Sequence, residues 1–131
     1  MKLTIVTLFP EMILGFLNES IVKRAQEKGA VEIEIIQLRD FTTDSHRTVD
    51  DRPFGGGAGM VLMAEPILKA VSAIQKGNRR GAVKKTKVII LSAKGKPFNQ
   101  KLAYDWAKRY ERIVFVSGRY DITLFSGANF T

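Results

Sequence analysis

Four short apolar runs alternate with stretches of helical period, and this alternation limits the chain more than any other feature. The runs are LTIVTLF (Leu3 to Phe9), VEIEIIQL (Val31 to Leu38), KVIIL (Lys87 to Leu91) and RIVFVS (Arg112 to Ser117). LTIVTLF is near-continuous, as in a strand buried on both faces of a parallel sheet, whereas VEIEIIQL alternates at first and then becomes wholly apolar, which suits a strand with one partly exposed end. Between the first two, from Glu11 to Lys28, residues Met12, Ile13, Phe16, Leu17, Ile21, Val22 and Ala25 recur at helical spacing, and Gly29 stands where a helix would end. Pro10 closes the strand before it. AEPILKAVSAIQK places Ile67, Leu68, Val71 and Ile74 on one helical face, and FNQKLAYDWAKRY (Phe98 to Tyr110) forms a further helix, on which Trp106 is expected to serve as core. The order is βαβ, a long loop, then αβαβ. It predicts an α/β fold with a mainly parallel sheet, helices on both faces and right-handed crossovers.

At 131 residues the chain is expected to form a single domain spanning 1–131, with no internal repeat. No apolar run approaches membrane length, and the N-terminal run ends at Pro10 without a small-residue cleavage site, so a cytoplasmic protein without membrane attachment is expected. The absence of cysteine agrees with a reducing compartment and removes thiolate chemistry and thiolate metal sites. Net charge is +8, and its source is local: Lys76, Arg79, Arg80, Lys84, Lys85 and Lys87 fall in a segment with no acid. Elsewhere fifteen basic residues face thirteen acidic ones. Such a segment is either a solvated loop or a contact to a polyanion.

In a parallel sheet ligands bind beyond the strand carboxyl ends, which here read LFPEM, QLRDF, LSAKG and SGRYD. Two of them put a small residue, Ser92 or Gly118, just after an apolar strand, where backbone groups can approach a ligand. The long loop HRTVDDRPFGGGAGM (His46 to Met60) concentrates charge and glycine. It is not a phosphate loop: it lacks the Lys-Ser or Lys-Thr of a P-loop, Met60 stands where GxGxxG needs glycine, and DDRPF rather than a strand precedes it. His46 is the only histidine and has no second ligand for a metal, so no metal site is expected there; it is read as a loop or RNA-contacting residue. No serine lies in a nucleophile-elbow sequence.

Taken in order, LFPEM, RDFTTDSHRTVDDRPFGGGAGMVLM, VIILSAKGK and VSGRYD closely resemble the bacterial tRNA (guanine-N1)-methyltransferase family of the SPOUT superfamily, over residues 1 to about 121. The resemblance implies methyl transfer from S-adenosylmethionine to N1 of the guanine beside a tRNA anticodon, by a homodimer whose site lies between subunits; it also implies Mg2+. It assigns Leu91, Ser92 and Ala93, with Gly118, Arg119, Tyr120 and Asp121, to the methyl-donor pocket. His46, Arg47, Asp50, Arg52, Gly56, Gly57 and Gly59 would meet the guanine and the partner subunit. Family sequences usually carry Glu where Asp121 stands, and DITLFSGANFT departs from the family pattern.

Guanine N1 carries a proton near neutral pH, so transfer needs a base within hydrogen-bond reach and a stabiliser of developing charge. The resemblance places that aspartate and its helper arginine downstream of the GRY-acid motif, beyond Thr131. It likewise implies that the remainder of the knotted loop and a C-terminal RNA-binding domain lie outside these residues, leaving the trefoil knot incomplete. The 131-residue chain alone is therefore expected to show no appreciable methyl transfer. The alternative is a non-catalytic RNA-binding or dimerising module on the same core.

Overall fold

A computed structural model of the chain describes residues 1–42, 46, 50–51, 61–62, 64–76, 85–91 and 96–117. Strand β1 (Lys2–Thr7) leads into helices α1 (Pro10–Leu17) and α2 (Ser20–Glu27), then strand β2 (Glu32–Gln37) and a short 3-10 turn, Leu38–Phe41. Strands β3 (Asp50–Asp51) and β4 (Val61–Leu62) precede helix α3 (Ala64–Lys76), strand β5 (Thr86–Ile90), helix α4 (Gln100–Arg109) and strand β6 (Arg112–Ser117). Four strands form one all-parallel sheet in the order β2-β1-β6-β5, the α/β arrangement that the alternation predicts.

The strand order explains the distribution of helices. The connections β1 to β2 and β5 to β6 step the same way along the sheet, whereas β2 to β5 crosses it in the opposite direction. Right-handed crossovers then put α3 on one face and α1, α2 and α4 on the other. Side-chain alternation agrees: Val6, Val88, Val114 and Val116 share the buried cluster with Ile67, Ala70, Val71 and Ile74 of α3. Lys87, one position out of phase with Val88, meets the Trp106 ring of α4 instead.

The helical stretch after β1 is two helices rather than one. Asn18 caps α1, and α2 begins at Ser20, whose φ is +48°. Asn and Ser compete with the helical backbone through their short polar side chains, so a break between them has a local cause. The Gln26 side chain donates to the Leu17 carbonyl at 2.9 Å and thus satisfies a group that the end of α1 leaves open. Helix α2 ends as its glycine predicts. Gly29, at φ +71°, donates to the Gln26 carbonyl and Ala30 to that of Ala25, a Schellman closure. Pro10 ends no strand directly; β1 stops at Thr7, and Pro10 opens α1, where its missing N–H costs nothing. The long loop also contains an element with no apolar signature, the antiparallel pairing of Asp50 with Leu62 and Asp51 with Val61.

Trp106 does not enter the core. No residue of α4 is buried, and the indole is half-buried against Phe98, with ring centroids 5.4 Å apart.

One charged side chain does lie in the interior. Arg112, at the amino end of the central strand β6 and only 6% exposed, donates to Thr4 Oγ1 at 2.9 and 3.1 Å, to Glu34 Oε2 at 3.0 Å and to the Ile74 carbonyl at 3.4 Å. It thereby joins β1, β2, β6 and α3. Removing it strands several polar groups at once, whereas the partly exposed Glu34 can turn to water. Arg112→Ala is expected to cost about 2–4 kcal/mol and Glu34→Gln less than about 1 kcal/mol. Urea unfolding of both variants measures the difference, and equal losses would mean that the ion pair alone matters.

Candidate functional site

The strand carboxyl ends form a row fixed by the ladder. Thr7 is in register with Gln37 on one side and Ser117 on the other, and Ile90 with Val116. Beyond Ile90, the Leu91 amide donates to the Val116 carbonyl at 3.0 Å, so the first residue after β5 sits against the last residues of β6. The two sequence stretches singled out for a donor pocket, beginning at Leu91 and just after Ser117, therefore leave neighbouring strands. They do so because β6 enters the sheet beside β5. The Leu91 side chain is 50% exposed, an apolar surface at the mouth of the sheet that could form one wall for a ligand with a flat apolar part.

Two polar side chains that sequence reasoning passed over shape the other half of this row. Thr7 Oγ1 accepts from the Phe9 amide at 3.1 Å, which turns the chain from β1 towards α1. Gln37 Nε2 donates to the Leu8 carbonyl at 3.3 Å while its Oε1 accepts from the Arg39 amide at 3.2 Å. One amide thus pins the ends of β1 and β2 together and starts the 3-10 turn, whose exit is held by Thr42 donating to the Arg39 carbonyl at 2.8 Å. The only sequence signal for Gln37 is a polar residue between Ile36 and Leu38 where an apolar strand ends.

Of the remaining candidates, His46 is an exposed turn residue and Asp50 lies in β3, paired with Leu62. Ser92, Ala93, Gly118, Arg119, Tyr120, Asp121, Arg47, Arg52, Gly56, Gly57 and Gly59 lie outside the described residues, as do Arg79, Arg80 and Lys84 of the basic segment. Among the described residues no group of three histidines or carboxylates converges as a metal site. No described helix is long and apolar enough to cross a membrane.

Because Gln37 serves two backbone groups, Gln37→Ala is expected to lower stability by about 1 kcal/mol and to speed amide exchange at Phe9 and Arg39 ahead of the rest of the sheet. Exchange rates by NMR check this; unchanged protection at both amides would show that the strand ends hold without the bridge.

Comparison with known proteins bears on the family and on the fold as a whole. The family model described as tRNA (Guanine-1)-methyltransferase TrmD matches residues 1–123. A tRNA (guanine-N(1)-)-methyltransferase from Carboxydothermus hydrogenoformans is 51% identical over 121 residues, covering 92% of this chain and 45% of the relative. The protein of the same name from Dictyoglomus turgidum is 48% identical, with 92% and 46% covered. The crystal structure of tRNA (m1G37) methyltransferase from Aquifex aeolicus superposes with a TM-score of 0.75 at 34% identity, over 88% of this chain and 50% of that one. The chain thus spans about half the length of the curated relatives it matches. With the family model covering most of its length, the chain belongs to the tRNA (guanine-1)-methyltransferase family.

Proposed function

We propose that this chain forms the methyl-donor half of an S-adenosylmethionine-dependent tRNA (guanine-N1)-methyltransferase acting on the guanine next to the anticodon. The observation that carries this reading is the adjacency of the β5 and β6 carboxyl ends, where the Leu91 amide donates to the Val116 carbonyl. Leu91, Ser92 and Ala93 would then face Gly118, Arg119, Tyr120 and Asp121 across one pocket. Bound there, S-adenosylmethionine supplies an electrophilic methyl group on its sulfonium. His46, Arg47, Asp50, Arg52, Gly56, Gly57 and Gly59 would close over the guanine, with charge to hold the base and backbone freedom for close approach. Residues 1–131 would act as one domain in the cytoplasm.

A second copy of the chain is the natural cover for α1. Met12 and Phe16, one helical turn apart, are 74% and 64% exposed, although neighbouring Leu17 is buried. Exposed apolar side chains stacked along one helix face mark an association surface more often than a solvated one. A homodimer joined there would bring two copies of the strand-end region into one particle.

Titration with S-adenosylmethionine, followed by amide NMR, is expected to move Leu91, Val116 and Ser117 while leaving Lys2 and Glu111 at the opposite end of the sheet in place. Fused to the downstream half of the Carboxydothermus relative, the chain is expected to transfer labelled methyl to N1 of the guanine. A fusion that melts cooperatively and binds donor yet transfers nothing would overturn the assignment. For the dimer, sedimentation should find two copies for the native chain and one for a Met12→Asp/Phe16→Asp variant; a native monomer at about 100 µM, an affinity weaker than most specific complexes, would remove the second copy from the proposal.

A further inference from the structure

The end of the sheet away from the donor site carries a second chemical surface. A groove of about 870 Å³ opens at the strand amino ends, with Lys2, Lys85, Lys108 and Arg109 among its lining cations and Glu32 and Glu111 among its acids. Lys2 is paired with Glu34 at 3.6 Å and Arg109 with Asp105 at 3.1 Å. Donating a hydrogen bond to the Asp105 carboxylate raises the Arg109 pKa above its ordinary value. Lys85 and Lys108 are different: among the described residues no carboxylate lies within ion-pair distance of either, nor of Lys87 or Lys101. Four lysines without carboxylate partners therefore gather around α4 and the sheet edge that it covers.

Aromatic rings are interleaved with them. The Lys87 ammonium stands 5.8 Å from the Trp106 ring centre and 5.7 Å from that of Tyr110, and the Arg109 guanidinium lies 5.6 Å from the same Tyr110 ring. A cation seated on ring faces is positioned without being neutralised. On the outer face of α4, Lys101, Tyr104 and Lys108 follow one another at i, i+3 and i+7, with Tyr104 63% exposed between two exposed lysines. This stripe runs into the groove at Lys108. A helix face that alternates lysine with an exposed ring, continuous with a cationic groove, has the composition of a surface that tracks a phosphate backbone and stacks on a base.

We propose that the α4 and β5 edge, through Lys85, Lys101, Tyr104 and Lys108, is an RNA-binding surface distinct from the guanine site at the strand carboxyl ends. It rests on the functional reading in that the RNA is the tRNA being methylated, whose phosphates would extend from the reacting end of the sheet to the opposite end. Lys85, Lys101 and Lys108 contact phosphates, and Tyr104 stacks on an unpaired base. Glu111, which lines the same groove, opposes the polyanion and limits its affinity.

The test is fluorescence anisotropy with an unmodified tRNA transcript at several salt concentrations. Each phosphate left without its lysine should flatten the slope of log affinity against log salt by somewhat under one unit, so Lys85→Ala/Lys101→Ala/Lys108→Ala should lower it by roughly two. Tyr104→Ala should weaken binding roughly tenfold with the slope unchanged, and Glu111→Gln should strengthen it by about twofold. All these side chains are exposed, and a thermal melt confirms that each variant is folded. An unchanged slope in the triple variant, an unchanged affinity in Tyr104→Ala, or the absence of binding by the native chain at about 50 mM salt overturns the proposal. Failure of the functional reading would be seen separately, as loss of the S-adenosylmethionine shifts at Leu91 and Ser117 in the native chain.

Discussion

The Arg112 guanidinium is the point on which the sheet depends. In sequence β6 is the last strand, yet in space it lies between β1 and β5, so the sheet has no centre until residues more than a hundred positions apart have met. Parallel pairing offers no hairpin to guide that meeting, and loop closure must precede the contacts that stabilise it. Arg112 supplies a specific anchor at the start of the strand. Its bonds to Thr4, Glu34 and Ile74 select one register for β6 against β1 and draw α3 onto the same face. A one-residue slip would carry the guanidinium to the other face of the sheet and leave these partners unmet.

The same register determines where chemistry can occur. Once Thr7, Gln37 and Ser117 are aligned, the carboxyl ends of all four strands share one edge of the sheet, and the Leu91 amide can reach the Val116 carbonyl. The anchor is at the amino end of the strands, so the charge that orders the sheet is kept clear of the carboxyl end, where the donor is proposed to bind. The amino end can then carry Lys85 and Lys108 in the groove that they line.

Much of this was legible in the residues themselves. The bounds of the helix Ala64–Lys76 and the strand Arg112–Ser117 coincide with those read from the sequence, because both bury a continuous face; Leu68, read onto the apolar face of that helix, is nevertheless exposed, and Ala70 takes the buried place beside Ile67, Val71 and Ile74. The join between α1 and α2 was not legible: Ile13, Leu17 and Ile21 keep helical spacing across it, while the break is made at Asn18 and Ser20, with a side-chain bond from Gln26 to the Leu17 carbonyl nine residues away. Nor was the pairing of Asp50 with Leu62, since two-residue strands carry no periodicity. Gln37 escaped notice because its bond to the Leu8 carbonyl depends on the neighbour strand, and Thr7 because its bond to the Phe9 amide is made in a turn that no apolar pattern marks. Trp106 misled for the opposite reason. Its size and flanking apolar residues indicate a core position, but α4 lies over an edge strand, where the sheet has Lys87 to offer it.

That asymmetry between the two faces bears on how the family's chemistry is housed. The face under α3 is closed by Ile67, Ala70, Val71 and Ile74, beneath which Val6, Val88, Val114 and Val116 are buried and Ile36 and Ile90 partly so. The face under α1, α2 and α4 is covered thinly, with Leu3, Ile5, Ile33, Ile35 and Ile89 only half-buried and neither α2 nor α4 contributing a buried residue. A sheet stabilised mainly from one side can leave its other side to carry surfaces for association: apolar Met12 and Phe16 beside one strand pair, and cationic and aromatic α4 beside the other. These differ in what they can hold. Apolar side chains gain from excluding water and suit a protein surface, whereas lysines without carboxylate partners retain their hydration until a polyanion displaces its counterions. One thinly covered face can thus present two chemically distinct surfaces without either competing for the strand ends.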